Sequence, residues 1–275
     1  MSEGMITRGT SFGAIYNKCQ IAIPKILHFC WFGGGNLPRK AMESIEKWKE
    51  KMPDYEIVRW DESNYDVNFC CFSRDAYRAR RWAFVSDCAR FKILYEHGGV
   101  YMDVGSNLVQ SIDPLVKRGP FSGREWETKF VAPGLALCAE TGNPLIKATL
   151  DSYEMMGFEN SWEFMSQHTV NNMFAKVLYP LGYTNEEDAI WEGAGFTVYP
   201  SEFFCPKLTF GGFKTTENTY ATHMGSASWS PRYEQRRIFI INTLAPVTGD
   251  WVARKIARVA SSVSKMVDLE VESQK

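Results

Sequence analysis

Residues 82–113, WAFVSDCARFKILYEHGGVYMDVGSNLVQSID, constrain the fold more than any other stretch: a helical period runs into a glycine pair, then into a short apolar run that ends on an acid. Phe84, Cys88, Phe91 and Tyr95 recur at steps of four, three and four, which sets them on one face of a helix. Asp87 and Arg90 stand three residues apart and so meet on another face. Gly98 and Gly99 supply the helix stop. Val100, Tyr101 and Met102 then favour a strand ending at Asp103. Ligands of open α/β sheets sit outside the carboxyl ends of strands, so Asp103 points to chemistry if this strand is central. For Asp87 and Arg90 the plain alternative is a surface ion pair contributing about 0.3 to 0.5 kcal/mol.

Upstream, a strand is predicted over residues 25–31, followed by the Gly33, Gly34, Gly35 loop. A helix should start at Pro38, a residue favoured at the first helical position, with Ala41, Ile45, Trp48 and Met52 as its buried stripe and Pro53 as its end. Residues 56–60 read as a second strand, and Asp61, Glu62, Ser63 and Asn64 as its polar exit. This βαβ start favours a nucleotide-binding, Rossmann-like half-domain. The glycine loop lacks the lysine of a phosphate loop and the dinucleotide spacing, so it serves either as a turn or as a place where backbone approaches a ligand.

Downstream, residues 121–140 are rich in Gly, Pro and aromatics and suggest acceptor-side strands and loops. A helix should open at Asn143 and Pro144 and run to about Met156, and residues 162–179 read as one further helix. Glu125, Trp126, Glu127 and Trp162 line an acceptor sugar site or, as aromatic segments more commonly do, belong to the core. His28 and His97 are expected to be structural, His168 is open, and His223 in YATHMGSASW is either a strand-end residue with a backbone partner or a ligand.

A chain of 275 residues with 45% hydrophobic and 14% aromatic content is most simply one large domain with an ample core. Its formal net charge of −1 gives no global reason to bind nucleic acid. Seven cysteines without a C-x-x-C pair fit neither a zinc site nor a disulfide framework, and are expected to be reduced structural thiols in a cytoplasmic protein. The first residues lack the apolar stretch of a secretory signal, and no run of about 18 apolar residues occurs. In residues 250–267, Val252, Ile256, Val259, Val263 and Met266 step along one helical face beside Arg254, Lys255, Arg258 and Lys265. Such a basic amphipathic helix packs on its own domain, pairs with a second copy, or lies on an anionic inner leaflet.

The order IPKILHFCWFGG, PDYEIVRWDESN, RRWAFVSDCARFKILYEHGGVYMD and HMGSASW resembles bacterial sugar transferases of the Asp-x-Asp type, the Gly_transf_sug group. That group includes capsular polysaccharide transferases and relatives of the yeast initiating α-mannosyltransferase, with the glucosyltransferase domains of large clostridial toxins more distant. The resemblance covers roughly residues 20–230 and is most specific where Ser86, Asp87, Arg90, Gly98, Gly99, Tyr101 and Asp103 stand in register. It implies a GT-A-like single α/β domain with a central mixed sheet over residues 21–248, after an extension at 1–20 and before a C-terminal amphipathic helix and tail at 249–275. It also implies a hexosyltransferase that moves a sugar, with retention, from a UDP- or GDP-sugar to a glycan or polyprenyl-linked acceptor, in capsule or O-antigen synthesis. Such an enzyme is expected in the cytoplasm, peripherally on the inner face of the plasma membrane.

By the same resemblance, Asp87 contacts donor sugar hydroxyls, Arg90 the sugar or diphosphate, and Asp103 the ribose and the metal shell. His223 joins Asp103 at the metal, and Ser228 with Trp229 holds the nucleotide. Trp31, Tyr101 and Trp229 are candidates to stack on the base or cover the ribose, unless they are packed core aromatics. One departure matters: where the group has a second Asp, this chain has Gly105. Dependence on Mn²⁺ or Mg²⁺ is therefore weakened, with Asn107 as a substitute oxygen two residues on. The missing carboxylate also keeps open a nucleotide-sugar-binding pseudoenzyme, and beside it a nucleotide-sugar hydrolase.

Overall fold

The computed structural model describes residues 22–209, 212–223 and 232–273. The N-terminal extension, Cys19, Ser228 and Trp229 lie outside the described residues.

The chain opens as a βαβ unit: β1 (Ile26–Cys30), α1 (Arg39–Lys51) and β2 (Glu56–Trp60), with β1 and β2 parallel. Pro38 is the N-cap of α1 rather than its first helical residue. Ala41, Ser44, Trp48 and Met52 are buried along α1, and Ile45 packs beside them. Next come α2 (Cys71–Arg78), α3 (Trp82–His97) and β3 (Gly99–Tyr101), which lies parallel to β1 on the side away from β2. Gly98 (φ 63°) and Gly99 (φ 100°) make the sharp passage from α3 into β3. A Cβ on Gly99 would meet the Ile26 carbonyl oxygen at 2.6 Å, so glycine lets β3 close on β1.

The second half adds β4 (Ser106–Leu108), α4 (Asp113–Val116), β5 (Phe121–Gly123), β6 (Leu137–Ala139) and α5 (Pro144–Glu154). Then follow α6 (Trp162–Gln167), α7 (Val170–Leu178), β7 (Trp191–Gly193), β8 (Phe196–Tyr199) and α8 (Ser201–Phe204). Among the described residues the main sheet has the order β2-β1-β3-β6-β5-β8-β7, with β6 and β7 antiparallel to their neighbours. The expected α/β class with a central mixed sheet is what the chain adopts.

Alternation along the strands sends side chains into two cores. Leu27, Phe29, Val100, Met102 and Cys138 face the layer of α1, α4 and α8, whereas Cys30, Tyr101, Leu137 and Val198 face that of α2, α3, α5 and α7. The single helix predicted over residues 162–179 is two. Ser161 caps α6 through the Phe164 amide and Thr169 caps α7 through the Asn172 amide, while His168 stacks on Phe164 with centroids 4.1 Å apart. A second capping side chain within the run outcompeted helix continuity there.

The chain closes with β9 (Leu208–Thr209), β10 (Gly212–Phe213) and β11 (Ala221–His223), then α9 (Arg232–Thr248) and α10 (Asp250–Ser273) as a helical hairpin. β11 pairs antiparallel with β4, setting His223 opposite Ser106. Ile241 and Ala245 of α9 pack on Ala253 and Ala257 of α10.

Candidate active site

Asp103 stands two residues past Tyr101, the carboxyl end of β3, and is built into its place from several sides. Its amide donates to the Gly134 carbonyl (2.9 Å), and its Oδ1 accepts the Tyr101 hydroxyl (2.9 Å). Arg90 Nη2 lies 2.7 Å from Asp87 Oδ1 and 3.4 Å from Asp103 Oδ1, so one guanidinium joins the helix acid to the strand-end acid. Its plane sits 4.6 Å over the Tyr101 ring, and its Nε donates to the Ser86 carbonyl (3.2 Å). The pair is no surface ion pair: Arg90 is 2% exposed and Asp87 9%. Arg90 Nη1 is buried with no partner among the described residues.

Burial decides the electrostatics. Loss of water pushes the Asp87 carboxyl up to about 7, which Asp103 reinforces and Arg90 opposes. Burial also works against the Arg90 charge, but Asp103, Tyr101 and Asp87 outweigh it and hold the guanidinium above its ordinary range. The cluster therefore keeps a fixed positive charge beneath Asp103. Removing the Asp87 carboxylate leaves that charge uncompensated, at a cost of about 3 to 5 kcal/mol for a buried pair, whereas Asp103, whose side chain is 38% exposed, is replaced at a smaller cost.

Gly134 completes the cradle from across the site. A Cβ there would fall 2.1 Å from Asp103 Oδ2 and 3.0 Å from Arg90 Nη1, so the strap around Gly134 lies flat on both groups. Sequence reading missed this residue; its only mark was the Pro133-Gly134 pair inside a glycine-rich segment. The strap is fastened by Arg124, 2% exposed, which donates to the carbonyls of Lys129, Thr184 and Ala189 and to the Tyr183 hydroxyl.

Pairing of β11 with β4 brings His223 to the cluster from far along the chain. A Cβ on Gly105 would come within 3.0 Å of His223 Nε2, so the imidazole occupies the space from which a second carboxylate would extend. An Asp at 105 would require the imidazole to move, and steric crowding, rather than a left-handed backbone, is what favours glycine. Burial pushes the His223 pKa down, with Asp103 pulling it back up, so the ring is a neutral candidate donor at pH 7. Among the described residues no three His, Cys, Asp or Glu side chains converge on one ion position. Asp103 and His223 thus fit a divalent ion only in part, and the rest of its shell would have to come from a ligand and water.

Other predicted residues are placed differently. Tyr101 is 1% exposed beneath Arg90, so it positions Asp103 and has no free face on which a base could stack. Asn107 does not join the cluster: its Oδ1 accepts from Ser44 (3.1 Å) and Lys47 (3.4 Å) of α1. Trp31 packs partly against the α1-side core and donates from Nε1 to the Gly35 carbonyl (2.7 Å), holding the glycine loop. Trp126 lies between Lys207 and Arg254, each 5.0 Å from its ring, and Glu127 pairs with Arg254. Trp162 is 42% exposed.

His28 is structural, as expected. Trp60 Nε1, which can only donate, lies 3.0 Å from His28 Nδ1, and His28 Nε2 lies 2.9 Å from the Gly98 carbonyl. That pairing fixes the neutral, Nε2-protonated tautomer, and burial takes its pKa down to about 4.

At the same sheet edge opens a cavity of about 660 Å³ lined by Gly33, Gly34, Glu62, Tyr77, Arg80 and Trp82. Gly33 (φ 95°) rests on the Trp82 indole, which a Cβ would strike at 2.7 Å, and its amide donates to Glu62 Oε1 (2.6 Å). Arg80 is one of three non-glycine residues at positive φ among those described, at 56°, and stands at this rim. The volume lies in the range of roughly 300 to 1,000 Å³ typical of small-molecule sites. Gly33 and Asp103 follow parallel neighbouring strands, so the cavity's glycine turn and the acid cluster both lie toward the carboxyl ends of the sheet.

Residues 38–122 match the family described as "Glycosyltransferase sugar-binding region containing DXD motif". The resemblance read from the sequence therefore holds over the stretch that carries Asp87, Arg90 and Asp103. The chain is 32% identical over 110 residues to inositol phosphoceramide mannosyltransferase 3 of Schizosaccharomyces pombe, covering 37% of this chain and 30% of that protein. It is 26% identical over 195 residues to the subversion of eukaryotic traffic protein A of Legionella pneumophila, covering 57% of this chain and 30% of that one. The chain spans about a third of the length of the curated relatives it matches. Among solved structures it is similar to the PaToxG glycosyltransferase at a TM-score of 0.47 and 19% identity, covering 57% of this chain and 69% of that one.

Proposed function

We propose that this chain is a GT-A-like glycosyltransferase that moves a hexose from a nucleotide-sugar donor to a hydroxyl of a glycan or lipid-linked saccharide, of the kind assembled into capsule or O-antigen. The observation that carries the reading is the contact chain Asp87–Arg90–Asp103, a buried guanidinium held between two carboxylates at the carboxyl end of a central strand. The adjoining cavity, with the Trp82 indole and the Arg80 side chain at its rim, accommodates the nucleoside diphosphate. Mannosyl transfer in the named fission-yeast relative favours a hexose and an acceptor carried on lipid. A lipid-borne acceptor in turn favours work at the cytoplasmic face of a membrane.

In the reaction, an acceptor hydroxyl oxygen bonds to the anomeric carbon, and the bond from that carbon to the diphosphate oxygen breaks. The electron pair leaves with the diphosphate, and the hydroxyl proton passes to that leaving group. Attack from the face the diphosphate leaves gives retention. Asp103 orients the donor. Arg90, almost wholly buried, works through Asp103 and through its fixed positive charge, which opposes no reorganisation when negative charge grows on the leaving group. Asp103 and His223 would hold Mn²⁺ or Mg²⁺ together with the donor's own diphosphate oxygens. The chemistry such an ion supplies when bound is neutralisation of the departing diphosphate.

A turnover assay with UDP- and GDP-hexoses, with and without saccharide acceptors, tests the reading. The wild type should release nucleoside diphosphate in an acceptor-dependent way, and Asp103→Ala should lose about 100-fold or more in rate while staying folded. Donor binding without turnover would identify a binding protein, which the absent second carboxylate favours as the alternative. Equal release with and without acceptor would identify a hydrolase.

A further inference from the structure

Of the apolar stripe that periodicity marks on α10, Val252, Ile256 and Val259 are left uncovered. Against α9, α10 buries Ala253, Ala257 and Ser261, small side chains four residues apart. Trp251 (69%), Ile256 (44%) and Val259 (68%) are exposed, with Val252 beside them. On the neighbouring helix Phe239 (69%) and Val247 (66%) are exposed too. These are large apolar residues that the hairpin does not use in its own packing.

Charge says what covers them. The hairpin, residues 232–273, holds seven basic residues against five acidic ones, three of the acids in its last six residues, in a chain whose formal net charge is −1, so the rest of the molecule is net acidic. Lys255 and Arg258 are exposed along one border of the apolar stripe, and Lys255 Nζ stands 4.2 Å over the Trp251 ring. An apolar stripe carrying an exposed Trp and bordered by cations matches the boundary between anionic headgroups and acyl chains, where an indole is favoured and lysine stems reach back to phosphate. Among the described residues no helix is long and apolar enough to cross a membrane, so the contact is one of lying on the surface.

We propose that the α9–α10 hairpin docks this protein on an anionic phospholipid bilayer, inserting Trp251, Val252, Ile256 and Val259 with Lys255 and Arg258 at the headgroup level. Arg254 is kept out of that role by Asp250 (2.8 Å) and by Glu127, and it ties the docking helix to the segment beside Trp126. Docking therefore also orients the domain, since the acidic remainder is repelled by the same surface. The inference goes beyond the transferase reading and extends its lipid-borne acceptor, but it is tested without turnover.

The test is flotation of the full chain with vesicles of phosphatidylcholine alone and of phosphatidylcholine with 30% phosphatidylglycerol as a chosen composition of roughly physiological surface charge. The protein should float with the anionic vesicles and not with the neutral ones, and release as salt rises. Lys255→Glu with Arg258→Glu should lower bound protein about tenfold or more, and Ile256→Asp with Val259→Asp should abolish binding, both variants keeping the wild-type thermal midpoint. Failure of the wild type to float, or equal flotation of wild type and both variants, would overturn the proposal. So would a wild-type dimer in sedimentation that Ile256→Asp with Val259→Asp converts to monomer, because a second copy would then be the occupant. Donor-dependent turnover with a soluble acceptor is measured on the same samples, and its presence or absence leaves the flotation result standing by itself.

Discussion

At the scale of residues, the site is a set of groups each fixed by a specific neighbour. Tyr101 is buried so that its hydroxyl aims Asp103, Arg90 is buried so that its charge stays beneath Asp103, and Gly134 is bare so that both can lie against backbone. The positions of Asp87, Arg90 and Asp103 were legible in helical spacing and a strand end, whereas spacing left a surface ion pair open and their roles came from the family resemblance. Tyr101 as a support, Asn107 turned to α1 and Gly134 as a cradle were not legible, since each depends on which element packs opposite. Gly134→Ala should accordingly cost activity far more than stability: the methyl group displaces the Asp103 carboxylate, and about tenfold or more in rate should be lost with a thermal midpoint shift of about 2 °C or less. Steady-state kinetics beside a melting curve checks it. His28 gives a pH prediction. Its folded pKa of about 4 lies below the ordinary value of 6.5, so between those values the unfolded chain binds a proton that the folded one refuses. The resulting stability is present above pH about 6.5 and is lost as pH falls toward 4, in total about 3 kcal/mol. Denaturant melts of wild type and His28→Gln should converge in that direction as pH falls. The opposite contribution of Asp87, whose raised pKa makes its own share fall as pH rises toward 7, is common to both proteins and cancels in the difference.

At the scale of elements, local periodicity placed β1, α1, β2, α3, β3 and α5 to within a few residues, because each carries an unbroken period and a clear stop. The reading failed where two local signals competed. Residues 162–179 keep a helical apolar pattern, yet Thr169 offers its hydroxyl to the Asn172 amide and starts a new helix after His168. β4 and β11 are three-residue strands that exist only because they pair with each other, so neither has a signal of its own. That pairing is nevertheless what delivers His223 to Gly105, setting an imidazole in the space from which a second carboxylate would extend. In α10 the period marked a helix, which the structure shows, but the face against α9 is the alanine face, which hydrophobicity alone does not mark. Small side chains let the two helices approach closely, and the larger apolar residues are left on the outside.

At the scale of the whole molecule, the parallel β2-β1-β3 half sends its carboxyl ends to one edge, and the cavity, the Gly33 turn and Asp103 all lie there. The antiparallel β6 and the Gly134 strap close that edge from the other half, so both halves of the sheet meet at the acid cluster. The proposed activity requires this edge to bind a nucleotide sugar through Asp103. Thermal melting of wild type and Asp103→Ala against UDP-, GDP- and CMP-sugars, each with and without Mn²⁺, tests it most directly, because a ligand bound only by the folded state raises the midpoint. At about one hundred times the dissociation constant, one donor should raise the wild-type midpoint by about 5 °C or more, with a larger shift when Mn²⁺ is present. The same donor should move Asp103→Ala by about 1 °C or less from an unliganded midpoint close to that of the wild type. No shift with any nucleotide sugar, or the same shift in Asp103→Ala as in the wild type, would contradict the account.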